Sequence, residues 1–206
     1  MNGRPKLAAA VVLAGFVVFE FFSDSWLQPF GPYAPYALEV LWVGVSALWL
    51  ANFFKREPSQ SVPSPVSSLG LGLGFLLSGA TIRWGCGPLE LLVPFDLQSG
   101  ETIVFLLLVA PVLEESLYRG TWMEGMRAFV QRPWILLLTS AVLFSFSHLR
   151  VLGSVPADFR PFIEYQAAYT FLLGAACAAV RLRVGLVAAI GMHFCFNLGF
   201  FLASRV

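Results

Sequence analysis

Glu114 and Glu115 stand side by side in the apolar run ETIVFLLLVAPVLEESLYRG, residues 101–120, with Arg119 one helical turn further on. A charge at the centre of a bilayer costs about 2.5–3.5 kcal/mol on insertion scales. A chain that carries Glu114, Glu115 and Arg119 inside such a run must turn them toward other protein groups and pair them, which constrains it to a bundle with a polar interior. The sequence holds only two histidines, His148 and His193, and both also lie in apolar stretches.

Charged residues make up 12% of the chain and hydrophobic ones 58%, against about 25% charged in an ordinary soluble domain. The composition is that of an integral membrane protein. A net charge of +1, without a basic tail or an acidic block, gives no reason to expect nucleic acid as a partner. The three cysteines, Cys86, Cys177 and Cys195, have no metal-ligand spacing, and an odd count builds no disulfide framework. Arg4 and Lys6 before an apolar stretch imitate a signal peptide, but residues 20–24 offer no small-residue cleavage site, so residues 7–22 read as a retained first span.

Hydropathy marks seven spans, at about 7–22, 35–54, 66–82, 101–118, 134–149, 163–180 and 184–203. Backbone polar groups cannot be left bare in lipid, so these are helices. The expected fold is all-α, a polytopic transmembrane helix bundle of about seven spans, forming one integral membrane domain over residues 1–206. With the N-terminus inside, nine Lys and Arg residues fall on the cytoplasmic side, Arg119 and Arg181 among them, against four outside. That bias favours a cytoplasmic N-terminus. Residues 57–68 read as an exposed Pro/Ser-rich connection and 26–35 as an interfacial loop. Gly70, Gly74 and Ser78 recur every four residues and read as a helix-packing stripe. Glu20 and Glu39, near span ends, are expected to reach the headgroups.

Pro133 disfavours helix at Arg132 and sets a turn between the fourth and fifth helices. At about 1.5 Å per residue, Glu114 then lies roughly 26 Å before the turn and His148 roughly 22 Å after it. An antiparallel pair brings the two to nearly one depth. On the last helix, His193 and Asn197 share a face at i, i+4 spacing. A carboxylate, two imidazoles and an amide therefore converge if the fourth, fifth and seventh helices are neighbours. Glu115 and Arg119 can pair along the helix, Phe144 sits one turn before His148, and Tyr118 is within reach of Glu114.

A carboxylate beside a histidine can hold and deprotonate a water, while a second histidine and an asparagine can donate hydrogen bonds to a developing oxyanion. That is equipment for hydrolysing a peptide bond without a serine or cysteine nucleophile. Other readings of the same residues are a zinc peptidase with His148, His193 and Glu114 as ligands, a non-catalytic binding or immunity protein, and a proton-coupled carrier.

The residues resemble the CPBP family of CAAX proteases and bacteriocin-processing enzymes, which includes the Rce1-like type II CAAX prenyl proteases. Glu114, Glu115 and Arg119 match its Glu-Glu-x-x-x-Arg motif, Phe144 and His148 its Phe-x-x-x-His motif, and His193 and Asn197 its His-x-x-x-Asn motif. The resemblance implies a glutamate-type intramembrane endopeptidase with its catalytic core in residues 101–200, using no metal and no cofactor. It implies Glu114 as general base, His148 as a positioner of water, and His193 and Asn197 as oxyanion donors. Glu115, Arg119 and Phe144 would support them. The implied partners are the lipid bilayer and a membrane-associated protein or peptide substrate: a CAAX-like end, a leader or a C-terminal sorting signal. The short chain, without an organelle-targeting signal, is expected in a bacterial plasma membrane.

Overall fold

The computed structural model describes residues 4–27, 30, 34–50 and 64–206. Seven helices follow in order: α1 Arg4–Leu27, α2 Ala34–Trp49, α3 Pro65–Gly85, α4 over 100–127, α5 Pro133–Leu149, α6 Arg160–Arg183 and α7 Leu186–Ala203. Short 3-10 turns at Arg150–Gly153 and Ala157–Phe159 link α5 to α6. No strand occurs among the described residues. The helices α3, α5, α6 and α7, two of them with their 3-10 extensions, are long and apolar enough to cross a membrane. The protein is an all-α membrane helix bundle, with a helix over the described part of each expected span; residues 51–54 of the second lie outside the described residues. Most of the expected 57–68 connection lies outside the described residues.

Local chemistry sets the helix ends. Ser64 caps α3 by accepting the Ser67 N–H, and Pro65 fills the first turn, where its missing N–H costs nothing. Ser99 caps α4 through the Thr102 N–H. Pro133 opens α5 as expected, although α4 ends at Arg127, short of the turn. Only Val184 and Gly185 join α6 to α7. Gly185 takes φ +128°, a conformation that a Cβ would strain.

α4 is not a regular helix. Two π-helical stretches, Phe105–Val109 and Ser116–Trp122, interrupt it. Pro111 explains the first: it cannot donate to Leu107, and its ring crowds that carbonyl, so the preceding turn widens. In the second, side chains from other helices take carbonyls of the widened turn. The Ser140 hydroxyl donates to Tyr118 O at 3.2 Å and Arg181 Nε to Arg119 O at 3.4 Å.

α3 packs along α7 and α5 along α6, while α1 and α2 pack on each other and on the second half of α4. The α3–α7 approach depends on two glycines. A Cβ on Gly79 would lie 1.9 Å from the Phe196 carbonyl oxygen, and one on Gly199 would lie 1.8 Å from the Leu76 carbonyl oxygen. The expected stripe of Gly70, Gly74 and Ser78 is not that contact. Gly70 and Gly74 have nothing within 4 Å of an added Cβ, and Ser78 is exposed with its hydroxyl folded onto the Gly74 carbonyl. The stripe faces outward because the packing face of α3 is turned to Gly72 and Gly79 instead.

Arg181 is likewise not a loop charge. It is 2% exposed and donates to Glu124 at 2.8 Å, and Arg127 pairs with the same carboxylate at 3.2 Å. Arg119 is wholly buried. Setting these two core arginines aside, the charge bias is seven against four.

Replacing Gly79 or Gly199 by alanine should force α3 and α7 apart and lower stability by about 1–3 kcal/mol. Gly74→Ala should leave stability unchanged or raise it slightly through helix propensity. Thermal unfolding of the detergent-solubilised protein checks both, and equal effects at Gly74 and Gly79 would contradict the packing face assigned here.

Candidate active site

Neighbouring residues on a helix point about 100° apart, so Glu114 and Glu115 serve different surroundings. The Glu115 side chain is fully buried, and its Oε1 lies 3.2 Å from Arg119 Nη1 and 2.9 Å from His193 Nδ1. The expected pair between Glu115 and Arg119 forms, and its carboxylate also holds a histidine from α7. Arg119 spans the core: Nη2 donates to the Gly174 carbonyl of α6 at 2.8 Å, and the guanidinium lies 4.6 Å from the centre of the Phe144 ring. A Cβ on Gly174 would come within 3.1 Å of both Arg119 Nη2 and Phe144, so glycine leaves the arginine its room.

The Glu114 side chain is 28% exposed, and its Oε2 lies 3.7 Å from His193 Nε2. It lines a cavity of about 850 Å³ together with His148, His193 and Asn197. The structure therefore gathers these four sequence-derived residues around one space. Backbones of α4 and α7 are in contact, as are those of α4 and α5. α5 meets His193 through Phe144, whose ring stands edge-on to His148 at 4.8 Å and to His193 at 5.9 Å.

Both imidazoles have a defined tautomer. His148 Nδ1 is 2.8 Å from the Phe144 carbonyl, which can only accept, so Nδ1 carries the proton. His193 Nδ1 faces the Glu115 carboxylate in the same way. In the neutral rings each Nε2 is then the basic nitrogen. As an imidazolium, either ring donates from Nε2 as well.

Asn197 has a backbone task that the sequence did not reveal. Ala110 N–H donates to Phe105 O, five residues back, and the next donor in that register would be Pro111, which has no N–H. The Leu106 carbonyl is left without a backbone donor, and Asn197 Nδ2 takes it at 2.7 Å. One amide proton of Asn197 is thus committed to α4, and the amide has a second.

Two further departures concern the polar neighbours. Glu20 does not reach the headgroups: it is 8% exposed and lines the cavity, and Glu39 lines it too. Tyr118 donates to Glu20 at 2.5 Å rather than to Glu114, and Arg150 lies 3.4 Å from the same carboxylate oxygen. A glutamate 98 positions before its partner leaves no periodic signal. Its only hint was an acid inside an apolar helix.

The candidate zinc-ligand atoms of Glu114, His148 and His193 do not all lie within 4.8 Å of one another. Among the described residues, the one trio of potential ligands within 4.8 Å of one another is Glu115, Cys177 and His193. There the Arg119 guanidinium already neutralises the carboxylate. Outside the spans, Cys86 is a packing group of the 86–99 loop, against Phe162 and Phe200. Burial pushes its thiol up from the usual range.

Residues 99–199 match the family model described as type II CAAX prenyl endopeptidase, Rce1-like. No curated protein and no solved structure matches the chain.

Removing one partner of a buried ion pair strands the other charge, at about 3–5 kcal/mol. Glu115→Gln and Arg119→Ala should each lower thermal stability on that scale. Variants that fold normally, with unchanged unfolding temperature in detergent, would show that the pair does not hold the core.

Proposed function

We propose that this chain, which belongs to the Rce1-like family through residues 99–199, is an intramembrane endopeptidase that hydrolyses a peptide bond of a membrane-associated protein or peptide with an activated water. The observation that carries the reading is the convergence of Glu114, His148, His193 and Asn197 on one cavity within the matched region. The whole chain acts as one integral membrane domain, residues 101–200 forming its catalytic core.

A water held between the Glu114 carboxylate and His148 Nε2 loses a proton to Glu114 as its oxygen attacks the peptide carbonyl. The carbonyl oxygen becomes an oxyanion, which His193, as imidazolium, and the second Asn197 N–H stabilise. Collapse of the tetrahedral intermediate breaks the C–N bond, and Glu114 returns the proton to the leaving amine. Glu115 keeps His193 oriented throughout, as a carboxylate behind a histidine does in many hydrolytic sites. Phe144 limits rotation of both imidazoles from the side.

The substrate class is a CAAX-like C-terminus, a leader peptide or a C-terminal sorting signal. The protein works in a bacterial plasma membrane with its N-terminus in the cytoplasm, the orientation the remaining charge bias favours.

Glu114→Gln should abolish cleavage while the protein still folds and inserts. Mass-spectrometric profiling of protein termini in membranes and medium from cells expressing either form should find termini present only with wild type. Identical profiles at equal expression would remove the peptidase reading. Asn197→Ala should lower turnover by about 10²–10³ if the amide meets the oxyanion. A loss of stability with unchanged turnover per folded molecule would confine Asn197 to the Leu106 carbonyl.

A further inference from the structure

Tyr118 has one O–H to give, and of the five carboxylates that line its cavity two bear on that choice. One is Glu114, four residues earlier on the same helix and lining the same wall. The other is Glu20, which α1 delivers from outside the matched region. The phenol is given to Glu20 Oε1 at 2.5 Å. Its ring is flanked by Phe16 of α1, edge-on at 5.4 Å, and Phe144 of α5, edge-on at 5.1 Å. Arg150, just past α5, lies 3.4 Å from the same Glu20 oxygen and compensates its charge. Glu20 and Tyr118 are 8% and 2% exposed, and both line the cavity.

A phenol that donated to Glu114 would stabilise its carboxylate and weaken it as an acceptor of the water proton. Hydrogen bonds to an ionised group are worth more than neutral ones, about 1.5–3 kcal/mol, so diverting this one matters. Glu20 offers the phenol a competing carboxylate that the catalytic step does not use.

We propose that Glu20 is a positioning residue: by holding the Tyr118 hydroxyl, with Arg150 beside it, it keeps Glu114 free to act as the general base. The proposal rests on the assignment of Glu114 as base, but its test needs no substrate and no cleavage. It also makes α1 part of the reaction machinery rather than a membrane anchor alone.

Dicyclohexylcarbodiimide, an apolar reagent that modifies protonated carboxyl groups, reads the state of Glu114 directly. The full chain in detergent is labelled at one mildly acidic pH, and adduct formation at Glu114 is followed by mass spectrometry. Glu20→Ala releases the phenol onto Glu114 and should slow labelling there by about tenfold. The double variant Glu20→Ala/Tyr118→Phe removes the diverted phenol and should restore the wild-type rate, whereas a structural defect from Glu20→Ala would persist. Glu20→Gln keeps an acceptor oxygen and should label like wild type. Tyr118→Phe alone should also label like wild type, since its phenol is not on Glu114, and this arm holds even if Glu20→Ala fails to fold. Wild-type labelling in Glu20→Ala, continued slow labelling in the double variant, or faster labelling in Tyr118→Phe would each overturn the proposal. Absence of any wild-type-only terminus in the profiling experiment would remove the peptidase reading without touching the labelling result.

Discussion

The carboxylate of Glu115 is the point on which the interior depends. It is sealed from solvent, and one of its oxygens faces both the Arg119 guanidinium and the His193 ring. Desolvating an ion pair is unfavourable unless its geometry is good and its remaining protons find acceptors. The bundle meets that demand with groups from three other helices. Gly174 supplies a carbonyl and the room to reach it, Phe144 an aromatic face, and His193 a ring N–H. Phe144 and His193 also line the cavity, so satisfying one buried charge places α5 and α7 around it. Its neighbour Glu114, turned by one residue on the helix, meets the cavity instead. Adjacency in sequence thus divides one carboxylate paired in the core from one that faces the cavity.

A similar economy appears at Pro111. A proline inside a membrane helix leaves a carbonyl that lipid cannot satisfy. The helix widens ahead of it, the Leu106 carbonyl is stranded, and Asn197 answers. The proline therefore draws α7 to α4 one turn below the adjacent glutamates, and it does so with a residue of the same face as His193. Bundle assembly and site assembly share this contact. Loss of Asn197 has to be judged on both counts, since an amide that bridges two helices acts on geometry even where it touches no substrate.

What the sequence made legible follows from what a bilayer penalises. Charge in an apolar run is costly enough that Glu114, Glu115 and Arg119 stood out, and the i, i+4 spacing correctly paired the latter two. Pro133 marked the α4–α5 turn for a backbone reason that holds in any solvent. The failures share a different cause. In lipid, the packed and the exposed faces of a helix are both apolar, so the pattern of α3 did not tell the Gly70–Gly74 side from the Gly79 side. The close approach at Gly79, where an added Cβ would meet the Phe196 carbonyl, is a property of two helices, not of one. Glu20 and Arg181 near span ends looked like interfacial charges because a long side chain there can snorkel. Only the tertiary fold supplies Tyr118 and Glu124 as nearer partners.

The motif residues and the space they face have different origins along the chain. Glu114, His148, His193 and Asn197 all lie within residues 99–199. The cavity they line is completed by Glu20 of α1, Tyr36 and Glu39 of α2, and Pro94, Phe95 and Asp96 of the loop before α4. A general base and oxyanion donors act on any peptide carbonyl brought within reach, so they carry little information about which peptide is brought. That information resides in the walls a substrate must pass, and six of the 29 residues that line this cavity come from the first 98. If the proposed reaction holds, two chains with the same motif set but different α1, α2 and 86–99 segments would perform it on different peptides. On the peptidase reading, a match confined to residues 99–199 bears on the chemistry more than on the substrate, and the first 98 residues contribute walls that carry no motif.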